Sequence, residues 1–304
     1  MMISLKQLRY FDAVARSGHF GAAAEQCGVS QPALSMQVQE LEKILGVQLL
    51  ERGRKGVTLT AGGREIAERA TRVLADVRDL TDCARRQGNA LSGALHLGVI
   101  PSVAPYVLPA LLTRIRVKYP DLDLHLRETQ TQSLVRELLD GHLDLLLLAL
   151  PVTHANIETM PLFEDKFLLA LPRSRPASRC IRATADLLQQ DRLLLLEEGH
   201  CLRDQALAVC SLRQVDHIDT FGASSLSTLV QMVANGLGMT LLPELSLDLE
   251  SKHGDIRLMR FVDPEPRRIV SLAWRASSPR KKDFVTLGRL IAAAMKRRRP
   301  FKLV

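Results

Sequence analysis

Apolar residues recur every three or four positions in the first part of the chain, within residues 5–15, 20–27 and 34–45. This spacing predicts three amphipathic helices. Gly28 is suited to end the second helix, and Ser30 is suited to cap the amino end of the third. Two short helices joined by such a turn predict a helix-turn-helix.

A basic turn and one long helix are predicted next. Residues 52–56 read Arg-Gly-Arg-Lys-Gly and precede the β-prone residues 57–60, which together predict a wing. From residue 61 to about 87 the pattern is helical, with an apolar stripe formed by Ile66, Ala70, Val73, Leu74, Val77 and Leu80. A lone helix leaves this stripe in water, so pairing with the same helix of a second subunit predicts a dimer.

Short apolar runs alternate with helical segments beyond residue 88, among them ALHLGVI, LDLLLLAL, RLLLLEE and IVSLAW. This alternation is typical of sheets wound with helices, so the predicted fold class is α/β. We expect a winged helix-turn-helix at residues 1–60, a linker and dimerisation helix at 61–90, and a two-lobed regulatory domain at 91–304. Lobe I is predicted at residues 91–164 and 267–304, and lobe II at 165–266.

The net charge of +8 is weak evidence for nucleic acid, because the excess lies in residues 279–304, where Asp283 is the only acidic residue. We interpret this segment as a solvated basic tail. The apolar runs are too short to cross a bilayer and the first residues lack a signal-peptide pattern, so we expect a cytoplasmic protein without membrane contact.

Five cysteines at irregular spacing indicate reduced thiols rather than a disulfide framework. Cys27, Cys83 and Cys180 are interpreted as inert. The remaining pair, Cys201 and Cys210, has no zinc-ligand spacing, so we expect neither a metal nor another cofactor.

The third predicted helix has the side chains that base reading requires. The positions that lie off its apolar face and face DNA are predicted to be Gln31, Pro32, Ser35 and Gln39. Gln31 is able to make bidentate contacts with a base edge. The wing residues Arg52, Arg54 and Lys55 are predicted to contact phosphates.

The stretch LRYFDAVARSGHFGAAAEQCGVSQPALSMQVQELEKILGVQLLER, with LTAGG, resembles the N-terminal domain of LysR-type transcriptional regulators. SLSTLVQMVANGLGMTLLP resembles part of their effector domain, and the likeness spans the whole chain. The resemblance implies an activator with a sensor domain similar to periplasmic binding proteins. It also implies a homotetramer, built as a dimer of dimers on double-stranded promoter DNA, with RNA polymerase as a partner. Met36 departs from the pattern, because many relatives carry a basic or polar residue there.

The stretch EEGHCLRDQALAVC, with GVIPSVAPYVLP and PEPRRIVSL, resembles the peroxide-sensing members of that family. In those members hydrogen peroxide oxidises one thiol and a second thiol closes a disulfide. The resemblance assigns these roles to Cys201, as the peroxidatic residue, and Cys210, as the resolving one. It also places Ser102, Thr131 and Arg268 around the peroxide. Ser102 is a departure, since the usual residue is Thr.

Geometry makes this pair a predicted switch. Residues 201–210 are good helix formers, and Gly199 is suited to begin a helix after it. A helix separates the Cα atoms of Cys201 and Cys210 by roughly 13 Å, whereas a disulfide requires about 7 Å or less. The bond therefore requires the helix to unwind.

A reactive thiol requires thiolate, which a helix amino end and nearby cations favour. His200 and Arg203 flank Cys201, and we expect Asp204 to pair with Arg203 within the same pocket. Arg267 and Arg268 point to opposite faces of one strand, so only one reaches the thiol. The resemblance favours Arg268.

The resemblance to the peroxide-sensing members implies a redox-sensing LysR-type regulator that responds to hydrogen peroxide through a Cys201–Cys210 disulfide and controls antioxidant genes. It is not expected to be an enzyme. One alternative is a regulator of a small metabolite in which the cysteines are incidental. A second is a thiol peroxidase, which would consume peroxide catalytically.

Overall fold

The computed structural model describes residues 2–53, 56–85, 91–175, 182–188, 191–211, 222–252 and 255–296. The chain divides into two compact units, residues 1–87 with 139–142 and residues 88–138 with 143–304, and each is treated by itself. Among the described residues, no helix is both long and apolar enough to cross a membrane. The predictions for Arg54, Lys55, Cys180 and the basic residues after 296 lie outside the described residues.

The first unit begins with three helices, α1 (Leu5–Ser17), α2 (Phe20–Cys27) and α3 (Gln31–Leu45). Ser30 caps α3, its Oγ accepting a hydrogen bond from the Ala33 N–H at 3.4 Å. Gly28 ends α2 with a φ of 67°, in the left-handed region that glycine adopts readily. The apolar faces of the three helices pack together around the fully buried Phe11 and Leu34. The predicted helix-turn-helix is confirmed.

The wing and the long helix follow. Strand β1 (Leu50–Gly53) pairs antiparallel with β2 (Gly56–Leu59), and α4 spans Ala61–Arg85. The predicted stripe on α4 is partly covered, since Ile66 and Ala70 join the first unit's core and Leu74 and Val77 are half-buried. Val73 and Leu80 are 42% and 72% exposed, so these two positions of the stripe face solvent.

The second unit alternates strands and helices. Its first elements are β3 (Gly93–Val99), α5 (Ala104–Lys118), β4 (Leu122–Glu128), α6 (Thr131–Leu139), β5 (Leu145–Ala149) and β6 (Ile157–Pro172). The next are α7 (Ala185–Leu188), α8 (Cys201–Ser211), α9 (Leu226–Ala234), β7 (Thr240–Pro243) and α10 (Leu247–Glu250), with a 3-10 turn at Glu244–Ser246 before α10. The last are β8 (Ile256–Arg260), β9 (Arg267–Arg275) and α11 (Lys281–Lys296).

The sheet order is β4-β3-β5-β9-β6-β7, with β8 also paired to β6. Strand β3 is parallel to β4 and β5, whereas β9 is antiparallel to both β5 and β6. Strand β6 pairs with β9 up to Lys166 and with β7 and β8 from Phe167 onward. The predicted α/β class is confirmed. The lobe boundary after residue 164 lies near this change of partner and stays a prediction.

Candidate functional site

The predicted helix between the two thiols is present. Cys201 is the first residue of α8 and is half-buried, and Cys210 lies in its last turn. The side chain of Cys210, like that of Cys83 in α4, lies outside what the structure describes. Nine residue steps of about 1.5 Å place the Cα atoms of Cys201 and Cys210 roughly 13 Å apart. The thiols therefore cannot bond while α8 is intact.

A small, tight cavity lies beside Cys201 and leaves essentially no free space for a water-sized group. It is lined by Ile100, Pro101, Ser102, Gln130, Thr131, His200, Cys201 and Leu202. These residues lie at or just before the amino ends of three helices, α5, α6 and α8. Helix amino ends carry partial positive charge and unpaired N–H groups, so their convergence stabilises an anion such as a thiolate.

Arg268 is buried behind Ser102 and donates two hydrogen bonds to it. The Nη1 group donates to Ser102 Oγ at 2.8 Å and the Nη2 group donates to the Ser102 carbonyl at 3.0 Å. Because Ser102 Oγ accepts from Arg268, its own proton is available to a group in the cavity. Arg267 points to the other face of β9, where its Nη1 pairs with Glu164 Oε2 at 3.3 Å. Of the two candidate arginines, Arg268 is the one that bonds to Ser102 in the cavity wall, although it does not itself line the cavity.

The guanidinium of Arg268 is held from its far side by Asp165, a residue that the sequence analysis missed. Arg268 Nε donates to Asp165 Oδ2 at 2.9 Å, and the Leu245 N–H donates to Asp165 Oδ1 at 2.9 Å. Burial raises the pKa of the Asp165 carboxyl, and the charge of Arg268 opposes that shift. The available signal was an acidic residue just before the apolar run FLLALP.

Thr131 contributes a buried hydroxyl to the cavity wall. Its Oγ1 is buried, yet no hydrogen bond reaches it from any residue that the structure describes. Buried hydroxyls are almost always paired. A hydroxyl of this kind on the wall of the Cys201 cavity favours a small ligand that forms hydrogen bonds there.

The segment before α8 is fixed against the start of α6. Gly199 has a φ of 91°, and a Cβ built on it would lie 2.7 Å from the Cδ of Gln130. Gln130 Nε2 donates to the Glu198 carbonyl at 3.2 Å. His200 is buried, with its Nε2 3.8 Å from Glu197 Oε1. Gln130, which the sequence analysis missed, thus sets Cys201 beside Thr131.

Arg203 and Asp204 are not among the residues that line the cavity, and their place in the pocket stays a prediction. Arg203 Nη1 donates to the Leu196 carbonyl at 3.1 Å, and Asp204 is exposed. The expected ion pair between them is absent from the described part of the chain. Adjacent helical residues point about 100° apart, so neighbours in sequence do not face each other.

Helix α3 presents the predicted DNA-reading face. Its buried residues are Leu34, Val38 and Leu41, while Gln31, Pro32 and Gln39 are exposed and Ser35 is half-buried. Met36, which is 61% exposed, lies among them. Arg52 lies in β1, and its side chain is outside what the structure describes. The base and phosphate contacts of these residues stay predictions.

Family models cover both units. Residues 5–64 match the bacterial regulatory helix-turn-helix proteins of the lysR family, and residues 88–296 match the LysR substrate binding domain. The chain therefore belongs to the LysR family of bacterial regulators.

Similar proteins of known name show to which group within the LysR family the chain belongs. A probable hydrogen peroxide-inducible genes activator of Streptomyces viridosporus is 44% identical over 295 residues, covering 96% of this chain and 95% of the relative. OxyR of Escherichia coli K12, a DNA-binding transcriptional dual regulator, is 40% identical over 294 residues, covering 96% of each. The predicted membership of the OxyR group is confirmed. No relative among these supports the metabolite-responsive alternative.

Solved structures give the same result. Full-length OxyR from Pseudomonas aeruginosa superimposes with a TM-score of 0.78 at 37% identity, covering 96% of this chain and 95% of that one. A cysteine-to-serine variant of Corynebacterium glutamicum OxyR, in its H2O2-bound form, gives a TM-score of 0.68 at 32% identity, covering 97% and 94%.

Proposed function

We propose that this chain is a DNA-binding regulator that senses hydrogen peroxide at Cys201 and controls antioxidant genes. One observation carries the proposal. Cys201 shares a small cavity with a Thr131 hydroxyl that has no partner in the described part of the chain, and with a Ser102 hydroxyl that Arg268 leaves available as a donor. The cavity therefore offers a nucleophile and two hydroxyls to a small, polar oxidant.

The chemistry balances without a cofactor. The Cys201 thiolate attacks one oxygen of hydrogen peroxide, the O–O bond breaks, and the leaving hydroxide takes up a proton to become water. Cys201 is then a sulfenic acid. The Cys210 thiol attacks this sulfur, an S–S bond forms, and a second water leaves. The sum is two thiols and one peroxide giving one disulfide and two waters.

Closing the disulfide unwinds α8, because the Cα atoms must approach from roughly 13 Å to about 7 Å or less. Leu202 and Ala206 lie on the buried side of α8 and pack into the core. Their displacement changes the packing of the second unit. Oxidation therefore acts as a conformational signal rather than as a static cross-link.

The tightness of the cavity favours peroxide over a larger metabolite, because it leaves no room for a drug-sized ligand beside Cys201. The protein acts stoichiometrically in the cytoplasm and is not a turnover enzyme. His200, packed beside Cys201, supports this site by adding a polar ring to its wall.

The regulator acts as a homotetramer, a dimer of dimers, on double-stranded promoter DNA, where it meets RNA polymerase. The exposed Val73 and Leu80 support the dimer, since they lie seven residues apart on one face of α4. Gln31, Pro32, Ser35 and Gln39 read base edges, while Arg52, Arg54 and Lys55 contact phosphates.

The test is mass mapping of thiols after mild peroxide, paired with promoter footprinting of both redox forms. We expect a Cys201–Cys210 disulfide and a changed footprint. Both are lost in Cys201→Ser and Cys210→Ser, whereas Cys27→Ser, a half-buried thiol on α2, retains both. A peroxide response that survives Cys210→Ser would contradict the proposal and favour a regulator with incidental cysteines.

A further inference from the structure

Asp165 and Arg268 form a buried pair that lies just behind the sensor cavity. They are directly opposite in the β6–β9 register, so their side chains lie on the same face of the sheet. Their side chains are only 2% and 1% exposed. Asp165 touches neither the cavity nor Cys201, so its effect on the thiol must pass through Arg268.

Arg268 uses all three of its nitrogens. Nε donates to Asp165 Oδ2, while Nη1 and Nη2 donate to the hydroxyl and carbonyl oxygens of Ser102. A guanidinium is planar, so fixing Nε against a carboxylate also fixes the directions of both outer nitrogens. These directions decide which way the Ser102 hydroxyl points its proton.

Ser102 depends on this restraint more than a β-branched residue would. Serine lacks the methyl group that narrows the rotamer choice of threonine. In this chain the hydrogen bond from Arg268 Nη1 holds the Ser102 Oγ in place. An unrestrained Arg268 would leave the hydroxyl free to turn away from the cavity.

The neighbouring pair on the same strands shows the contrast. Glu164 and Arg267 lie on the opposite face, with side chains 53% and 57% exposed and an Nη1 to Oε2 distance of 3.3 Å. Exposed pairs of this kind contribute little to structure. They therefore provide a matched control for charge loss one residue away.

We propose that Asp165 is a positioning residue for peroxide sensing, which orients Arg268 so that the Ser102 hydroxyl donates into the Cys201 cavity. The inference rests on the proposed function, because it assumes that Cys201 reacts with peroxide. Asp165 lies outside the cavity, yet it controls the rate at which Cys201 reacts with peroxide.

The experiment compares Asp165→Asn with Glu164→Gln in the full-length reduced protein. Two rates are measured: sulfenic acid formation at Cys201 with hydrogen peroxide, and Cys201 alkylation by iodoacetamide, which needs no Ser102 donor. We expect Asp165→Asn to slow the peroxide reaction by about 10- to 100-fold, the range for a misplaced reacting group, with alkylation within about twofold of the wild type. Glu164→Gln leaves both rates unchanged.

A double-mutant cycle with Arg268→Met tests whether Asp165 acts through Arg268. We expect Asp165→Asn to add nothing in that background, since its effect requires the guanidinium. Additive effects would overturn the proposal, as would a wild-type peroxide rate in Asp165→Asn.

If the Asn variant does not fold, Asp165→Glu displaces the guanidinium while keeping the charge. A slowed peroxide reaction is then expected, and a wild-type rate would overturn the proposal. Failure of wild-type Cys201 to react with peroxide would instead overturn the proposed function.

Discussion

The Gln130 side chain lies against Gly199, so close that a Cβ on residue 199 would come within 2.7 Å of the Gln130 Cδ. Gly199 also has a φ of 91°, which L side chains rarely adopt. The segment that leads into α8 therefore packs closely against the Gln130 side chain at the start of α6, and a Cβ at residue 199 would displace that side chain.

Gly199→Ala should slow the oxidation of Cys201, because the new methyl group displaces the Gln130 side chain and breaks its hydrogen bond to the Glu198 carbonyl before α8. Gly236→Ala is the matched control, since its φ of 81° is similar but nothing lies within 4 Å of its Cβ position. Both variants should lose about 1–2 kcal/mol of unfolding free energy from the left-handed backbone. Only Gly199→Ala should lower the peroxide rate, by about tenfold or more. Equal peroxide rates in the two variants would show that this contact is not needed.

Thr131→Val should slow the reaction of Cys201 with peroxide without lowering the stability of the protein. The Thr131 hydroxyl has no partner among the described residues, and an unpaired buried hydroxyl costs about 1–3 kcal/mol, so the variant should be at least as stable as the wild type. Its reaction with peroxide should slow, because a hydroxyl in the cavity is gone. Chemical denaturation and sulfenic acid trapping measure the two effects.

Thr240→Val is the control for that substitution. Thr240 Oγ1 is buried and donates to the Leu194 carbonyl at 2.8 Å. Its removal should lower the unfolding free energy by about 1 kcal/mol and leave the peroxide rate intact. A Thr131→Val variant that is destabilised like Thr240→Val but oxidised normally would refute the assigned role of Thr131.

Asp144→Asn should weaken the acid sensitivity of the second unit. Burial acts to raise the pKa of Asp144, but hydrogen bonds from the His96 ring and N–H, with the charge of Arg280, hold it below its usual value. A lowered pKa contributes stability above the unfolded pKa of about 3.9, and this is lost as pH falls through the folded pKa. The unfolding free energy of the variant should fall less steeply in acid.

Asp123→Asn is the control for this titration. Asp123 Oδ2 meets His125 Nε2 at 2.9 Å, but its side chain is 71% exposed. The unfolding free energy, measured by denaturant titration at pH 7 and about pH 3, should fall between these two pH values by the same amount in Asp123→Asn as in the wild type. If the unfolding free energy of Asp144→Asn also falls by the wild-type amount, Asp144 is not a source of the acid sensitivity.

Gln31→Ala should reduce promoter affinity by about tenfold, because a bidentate contact with a base contributes about 1–3 kcal/mol of discrimination. Binding to scrambled DNA should stay the same, since phosphate contacts dominate it. Gln26→Ala, an exposed glutamine on α2, should leave the ratio of promoter to scrambled affinity unchanged. Fluorescence anisotropy at one salt concentration measures both. An unchanged ratio for Gln31→Ala would remove Gln31 from the reading face.

Local features of this chain were predictable from sequence, and long-range ones were not. The helices α3 and α8 could be predicted because the signals for a helix are local. Apolar spacing, capping residues and helix propensity all depend on residues that are close together in the sequence. Asp165 acquires its role only when β6 pairs with β9, which joins residues 103 positions apart. Arg203 and Asp204 flank Cys201 in sequence, yet neither is among the residues that line its cavity. Their places depend on how α8 packs, which spacing alone does not reveal.

Joining Cys201 to Cys210 should unwind α8. Amide hydrogen exchange of residues 201–211, measured in the reduced protein and in the isolated disulfide form, tests it most directly. We expect the amides of α8 to be protected in the reduced form and to exchange faster by at least about tenfold in the disulfide form. Equal protection in both forms, with the disulfide verified by mass, would contradict the claim.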